Sequence, residues 1–272
     1  MDRYAVIGHP IKHSLSPQIH SIFAAQTKQD LVYEGIELPV TSFETRVWQM
    51  FKEGYSGFNV TAPFKTDAFD FVDEMSERAK RARAINTLKK MDDGRIYGDT
   101  TDGVGLLIDL RENLKWQIEN QNILILGAGG AVRGVLEPLL EANPASLVLA
   151  NRSMKKVEEL TDDFPEITPA TFDELSGQFD IIINGTSASL SGQVPPLPEG
   201  TINAGTKCYD MMYGAEPTAF MVWAAKQGAV HCADGLGMLV GQAAESFAIW
   251  RGIRPDSSSV IKEIRKSLKL NP

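Results

Sequence analysis

The run Ile123-Leu124-Ile125-Leu126-Gly127-Ala128-Gly129-Gly130-Ala131-Val132-Arg133-Gly134 sits in the middle of the chain and changes character halfway. Four apolar residues read as a short buried strand. The glycines that follow at once give a tight turn open to positive φ and a backbone bare enough for a pyrophosphate to approach. A helix then begins, with its unpaired first amides directed at that anion. The spelling departs from G-x-G-x-x-G, because Val132 stands where the third small residue belongs, and Ala131 is expected to make the close helix-strand contact instead.

Working outward, Ser146 to Ala150 forms a second apolar strand that ends in Asn151-Arg152-Ser153. Arg152 falls 25 positions after Gly127, near the place where an NAD-binding chain carries an acidic residue about 20 positions on. A guanidinium forks onto a ribose 2′-phosphate, whereas a carboxylate repels it. The expected cofactor is therefore NADP(H) rather than NAD(H).

Further strands at Asp180 to Asn184 and Lys207 to Asp210, with helices between them, extend this half into a doubly wound sheet. Pro138 lies inside the helix after the glycine turn, where it removes a hydrogen bond. The first half opens with strands at Tyr4 to Ile7, Leu31 to Leu38 and Gly57 to Val60, alternating with helices at Pro17 to Gln29 and Ser42 to Lys52. Ser16 is expected to cap the first of these, with Pro17 in its first turn and Ile19, Ile22 and Phe23 on its buried face. Asn86 to Met91 and Arg95 to Gly98 read as a hairpin turned by Asp92-Asp93-Gly94, and a helix from Asp102 to Leu114 follows. The last stretch is helical at Leu236 to Trp250 and Val260 to Leu268.

The fold class expected is α/β, an amino-terminal mixed α/β unit followed by a Rossmann-like one. Its divisions are 1–101, 102–237 and carboxy-terminal helices 238–272 packing back on the first. At 272 residues, 43% hydrophobic and 23% charged, the chain has apolar surface for two cores. A net charge of -8 argues against nucleic acid as a partner. Cys208 and Cys232 read as small buried hydrophobes, which suits a reducing compartment. The start Met1-Asp2-Arg3-Tyr4 carries no leader pattern, and no segment is apolar over the roughly 18 residues that span a bilayer, so a cytoplasmic location without membrane contact is expected. His9, His13 and His20 cluster in sequence without Cys or carboxylate in a ligand pattern, and no metal site is expected.

Polar residues gather at strand-helix junctions of the first half: Ser14-Leu15-Ser16-Pro17, Asn59-Val60-Thr61-Ala62-Pro63-Phe64-Lys65, Ala84-Ile85-Asn86-Thr87 and Gly98-Asp99-Thr100-Thr101-Asp102-Gly103. Junctions at the carboxyl ends of parallel strands face the ligand crevice. Together with Gly127 to Ala131, Asn184-Gly185-Thr186-Ser187, Tyr209-Asp210-Met211 and Asp234-Gly235-Leu236-Gly237-Met238, these segments resemble the shikimate dehydrogenase family over nearly the whole chain.

The resemblance implies reversible NADPH-dependent reduction of 3-dehydroshikimate to shikimate, with substrate in the amino-terminal unit. It implies that Ser14 and Ser16 hold the substrate carboxylate with Tyr213 and Gln242 nearby, and that Thr61, Lys65, Asn86 and Asp102 surround the ring hydroxyls. Lys65 and Asp102 are then the acid-base pair. The alkoxide left by hydride arrival needs a proton that a nearby lysine can give. On the cofactor side it implies Gly127, Ala128, Gly129, Gly130 and Ala131 at the pyrophosphate and Asn151, Arg152, Ser153, Lys155 and Lys156 at the adenosine phosphate. Thr186 joins the cofactor set, and Met211 and Gly235 take the nicotinamide end. Two other readings stay open, a quinate/shikimate dehydrogenase of broader use and a non-catalytic NADP sensor. A monomer or a homodimer is expected.

Overall fold

The apolar strands and amphipathic helices fall into two units in a computed structural model that describes residues 1–270. Unit 1 comprises Met1–Gly105 and Val240–Ile264, and unit 2 comprises Leu106–Leu239 with the chain from Arg265. Among the described residues, each unit is built on one six-stranded sheet.

Unit 1 runs β1 (Asp2–Gly8), α1 (Ser16–Thr27), β2 (Leu31–Glu37), α2 (Phe43–Lys52), β3 (Tyr55–Val60), α3 (Lys65–Phe71), β4 (Glu74–Met75), α4 (Glu77–Ala82), β5 (Thr87–Lys90), β6 (Ile96–Asp99) and α5 (Asp102–Ile108). The sheet order is β2-β1-β3-β5-β6-β4. β1 pairs in parallel with β2 and β3, and β5 and β6 form the expected antiparallel hairpin, with β5 also antiparallel to β3. Gly94 turns that hairpin at φ 89°, a conformation that glycine adopts without Cβ strain. Phe58, Val60, Leu88 and Ile96 of the sheet bury against Val47, Met50 and Phe51 of α2. The period of 3.6 in the α2 sequence accounts for that face.

One local expectation fails in α1. The helix begins at Ser16 itself, so the capping position belongs to Leu15 and no side chain caps the first turn. Pro17 fits because its missing N–H has no intrahelical acceptor there. The Ser16 hydroxyl is therefore left available for other partners.

Unit 2 contains β7 (Asn122–Leu126), α6 (Gly130–Glu141), β8 (Ser146–Ala150), α7 (Met154–Thr161), β9 (Thr168–Ala170), β10 (Ile181–Asn184), β11 (Lys207–Asp210), α8 (Ala219–Lys226) and β12 (His231–Asp234). α9 (Leu236–Arg251) and α10 (Ser257–Leu270) close the chain. All strands of this sheet run parallel in the order β12-β11-β10-β7-β8-β9. Counted from β7 that is the doubly wound order whose direction reverses between β7 and β10. Ile123, Ile125, Ile181 and Ile183 bury in one core, and Leu124, Leu126 and Ile182 in the other. Strand alternation with both faces covered is what makes these strands continuously apolar in sequence.

Two helices differ from expectation. The helix expected from Asp102 to Leu114 is α-helical only to Ile108, and Asp109–Asn113 form a π-turn. Asp109 there accepts from Tyr209 Oη at 2.7 Å and Asn113 Nδ2 at 2.8 Å, bonds that offset the cost of burying the carboxylate. Pro138 stays inside α6, buried with Val135 and Leu139, because packing of the apolar face outweighs one lost backbone bond. Among the described residues no helix is long and apolar enough to cross a membrane.

Candidate active site

Pairing in unit 1 brings four separated segments to one edge of its sheet. β1 and β3 are parallel neighbours, so the loops after both strands emerge together, carrying Ser14 and Ser16 from one and Thr61 and Lys65 from the other. β5 runs antiparallel to β3 with Asn59 opposite Thr87, and β6 returns with Asp99 opposite Thr87. Asn86 and the Thr100 to Asp102 turn thereby reach the same edge.

Lys65 Nζ lies 2.5 Å from Asp102 Oδ2, and the other carboxylate oxygen accepts from Asn86 Nδ2 at 2.9 Å. Both Lys65 and Asp102 are largely buried, which strengthens their attraction relative to water. The Asn86 amide is fixed at both ends. Its oxygen accepts the Thr101 backbone N–H at 2.9 Å, and its nitrogen also faces Thr101 Oγ1 at 2.9 Å and Gln242 Oε1 at 3.4 Å. Lys65, Asn86, Asp102 and Gln242 thus form one connected group. Ser16 N–H donates to Ser14 Oγ at 3.3 Å, and Thr61 closes β3 against β1 through its N–H to Ile7 O at 2.9 Å.

Behind the turn, Arg78 grips Asp99 with Nε at 2.7 Å and Nη2 at 2.8 Å and reaches Glu245 at 3.2 Å. Such a two-pronged pair fixes direction as well as charge. It braces the strand end from which Thr101 and Asp102 project.

In unit 2 the glycine turn lies at the reversal point of the sheet. Gly127 has φ 104°, and a Cβ on it would meet Thr186 Cγ2 at 3.1 Å and Gly185 backbone at 3.2 Å. Gly185 in turn has no room, since its Cβ would lie 2.3 Å from Val132 Cγ2. Val132 therefore makes the close packing contact with the glycine coming from β10, while Ala131 is half-buried against the same core. Gly129 and Gly130 differ, because nothing stands within 4 Å of where their Cβ atoms would be. That open space beside an uncapped helix start suits an approaching pyrophosphate.

The end of β8 carries the charges. Arg152, Lys155 and Lys156 are exposed and pair with no carboxylate among the described residues. Asn151 Nδ2 turns back to Ser153 O at 3.2 Å, and the Ser153 hydroxyl makes no capping bond at the start of α7. Three cations with a free hydroxyl at a helix start fit a phosphomonoester.

Thr186 donates through N–H and Oγ1 to Asn184 Oδ1 at 3.1 and 2.7 Å, and Asn184 Nδ2 donates to Asp210 at 3.1 Å. Met211 is buried, and a Cβ on Gly235 would fall 2.2 Å from the Met211 carbonyl oxygen. Tyr213 belongs to unit 2, where burial pushes its hydroxyl pKa up.

Sequence reasoning quoted Asn59, Thr87 and Thr101 in the strand-end segments but missed Tyr33 and Ser246, which join them in a polar cluster under the unit 1 site. Ser246 Oγ lies 2.9 Å from Asn59 Nδ2, 2.8 Å from Thr87 Oγ1 and 3.2 Å from Thr101 Oγ1. The one available signal was the spacing of Gln242 and Ser246, four apart on a mostly apolar helix and so on one face.

A Rossmann-order sheet with a glycine turn, joined in one chain to a second α/β unit, defines a two-domain oxidoreductase of the dinucleotide-binding class. Family models narrow it. The shikimate dehydrogenase substrate binding domain matches residues 6–88, shikimate / quinate 5-dehydrogenase matches 109–191, and the shikimate 5′-dehydrogenase C-terminal domain matches 235–267. A shikimate dehydrogenase (NADP(+)) of Thioalkalivibrio sulfidiphilus is 54% identical over 97% of this chain and 98% of its own length. Among solved structures, an Ael1 enzyme from Pseudomonas putida is 48% identical, covers 97% of this chain and 98% of its own and superposes with a TM-score of 0.91. Shikimate 5-dehydrogenase from Thermus thermophilus, in complex with NADP(H) and shikimate, is 30% identical over 98% of this chain and 100% of its own, with a TM-score of 0.89. The chain belongs to the shikimate dehydrogenase family.

Proposed function

We propose that this chain catalyses the reversible, NADPH-dependent reduction of 3-dehydroshikimate to shikimate, a step of the shikimate pathway toward chorismate and the aromatic amino acids. The observation that supports it best is Lys65 held at 2.5 Å from Asp102, itself held by Asn86, in a unit matched by the family's substrate binding domain.

NADPH, when bound, supplies the hydride. Gly127 to Ala131 hold its pyrophosphate, and Arg152 with Ser153, Lys155 and Lys156 hold its 2′-phosphate. Met211 and Gly235 border the nicotinamide end, with Thr186 on the cofactor side. The remaining work falls to unit 1. Ser14 and Ser16 receive the substrate carboxylate, with Gln242 as a further contact. Thr61, Asn86 and Asp102 direct the ring hydroxyls. Lys65 Nζ gives a proton to the ketone oxygen as it becomes an alkoxide, and takes it back in the oxidative direction. Asp102 keeps the ammonium aimed at that oxygen. Exposed Arg152 favours NADPH over NADH, because an unpaired guanidinium meets a 2′-phosphate without first breaking an ion pair. We infer a cytoplasmic location, which the free thiols Cys208 and Cys232 support.

Absorbance at the reduced nicotinamide band tests the reading. Expected is NADPH oxidation with 3-dehydroshikimate and NADP+ reduction with shikimate, each faster than with NADH, with NAD+ or with quinate. NADPH binding without turnover on 3-dehydroshikimate would overturn it.

A further inference from the structure

We propose that Tyr33 is a positioning residue for this reaction, its hydroxyl orienting the Asn59 amide and, through Thr87 and Asn86, holding Asp102 and Lys65 in register. This rests on the acid-base reading of Lys65 and Asp102 given above. Tyr33 lies on β2, well separated in sequence from Asn86, and nothing in its sequence surroundings marks it.

The direction of each bond follows from chemistry. Asn59 has one end of its amide 2.8 Å from Tyr33 Oη and the other end 3.1 Å from the Asn86 carbonyl oxygen. A carbonyl only accepts, so the nitrogen end must face it and the oxygen end must face Tyr33. Tyr33 therefore donates. Asn59 Nδ2 also points at Thr87 Oγ1 at 3.2 Å. Thr87 lies 2.9 Å from Asn86 Oδ1 and 2.8 Å from Ser246 Oγ. Ser246 directs its own proton to the Gln242 carbonyl at 3.0 Å, so the single Thr87 hydroxyl proton serves both Asn86 Oδ1 and Ser246 Oγ. Asn86 Oδ1 also accepts the Thr101 backbone N–H at 2.9 Å, so Asn86 presents nitrogen to Asp102 Oδ1 at 2.9 Å, and Asp102 offers its other oxygen to Lys65. A connected set of donors and acceptors thus links Tyr33 to the lysine.

The Tyr33 ring is itself held. It stacks on His20 with centroids 4.1 Å apart and planes 8° from parallel, with Trp250 tilted against it at 6.2 Å. His20 is fully buried in that aromatic group, and burial pushes its pKa down to about 3, so it stacks as a neutral ring. The stack needs only an aromatic ring. The hydroxyl matters because Asn59 is buried and takes a 2.8 Å hydrogen bond from it, and a buried amide oxygen that loses a donor has no water to replace it.

The test uses the full chain with Tyr33→Phe, Thr87→Val and the double variant. Each single change is expected to lower kcat about 3- to 10-fold, the scale of one hydrogen bond, leaving NADPH affinity at the wild-type value. The primary deuterium isotope effect with NADPH labelled at the transferred hydrogen should not fall below wild type. The double variant should be no slower than the slower single, since both cut the same chain. Multiplied losses in the double variant would overturn the proposal, as would wild-type kcat in Tyr33→Phe. Should Tyr33→Phe fail to fold, Thr87→Val decides by itself, because it spares the stack, and wild-type kcat in it overturns the relay. An inactive wild type would instead sink the acid-base reading, so the two failures are distinguishable.

Discussion

Asn86 in unit 1 is engaged at both ends of its amide by Thr87, Thr101, Asp102 and Gln242, whereas Gly129 and Gly130 in unit 2 have empty space where side chains would be. One site is made of interlocked side chains and the other of bare backbone with exposed cations nearby. On the proposed function, the difference follows from what each would hold. A pyrophosphate offers many charged oxygens, so amides, a helix start and room suffice. A small ring with several hydroxyls and one ketone must be held in a single orientation, and that takes directional bonds fixed before the ligand arrives.

The largest effect that could break this contrast is expected at Lys65. Lys65→Ala should lower kcat by about 10² to 10⁴, the usual span for a lost general acid-base. NADPH affinity, measured by fluorescence titration, should stay close to wild type. Equal loss in both would mean that the two sites are not separately built.

Arg152→Asp comes next. Exchanging a phosphate partner for a like charge should raise the NADPH Kd roughly 10- to 100-fold, with little change for NADH. Parallel weakening of both cofactors would remove Arg152 from the 2′-phosphate.

Gly235→Ala probes the backbone-built site by crowding it. The added methyl would fall 2.2 Å from the Met211 carbonyl oxygen, a backbone atom that cannot turn away. Overpacking of this kind costs about 1–3 kcal/mol, and a thermal scan should show Tm lower by several degrees, at roughly 2–4 °C per kcal/mol. A comparable methyl at Gly129 meets nothing within the chain, so Gly129→Ala should melt close to wild type while raising KM for NADPH.

The smallest effect separates the units by pH. His20 has its folded pKa pushed down from 6.5 to about 3 by burial. Between those values the unfolded chain binds a proton that the folded chain refuses, so unit 1 loses stability as pH falls, by up to about 1.4 kcal/mol per pH unit. Asp109 and Asp210 in unit 2 have their pKa values pushed up by burial. Their folded forms bind the proton first, and acidification through that range favours unit 2. Calorimetry at neutral pH and again about two pH units lower, inside the His20 window, should show unit 1 as the acid-sensitive part, and His20→Phe should flatten that dependence.

Much of this organisation was legible in order. The apolar run before Gly127 and the strands at Ser146, Ile181 and Lys207 carry their burial in composition, because parallel strands covered on both faces leave no polar alternation. The hairpin through Gly94 was readable from its turn residues. Short pieces were not: β4 is two residues long and β9 three, below the length at which periodicity speaks. The capping role expected of Ser16 failed because the backbone enters α1 one residue earlier, a choice made by the loop and not by propensity. The π-turn at Asp109 escaped as well, and the bond that Asp109 takes from Tyr209 joins residues a hundred positions apart, beyond the reach of local periodicity.

The residues themselves determined that the chain alternates strand and helix, turns on glycine after β7, and carries lysine, asparagine and aspartate at strand ends. Tertiary structure alone decided that Tyr33, Asn59, Thr87 and Ser246 stand beneath Asn86. Periodicity reports which face of an element is apolar, since that depends on near neighbours in the chain. A hydrogen bond between distant segments depends on sheet order and register, and those are set only when the whole unit closes.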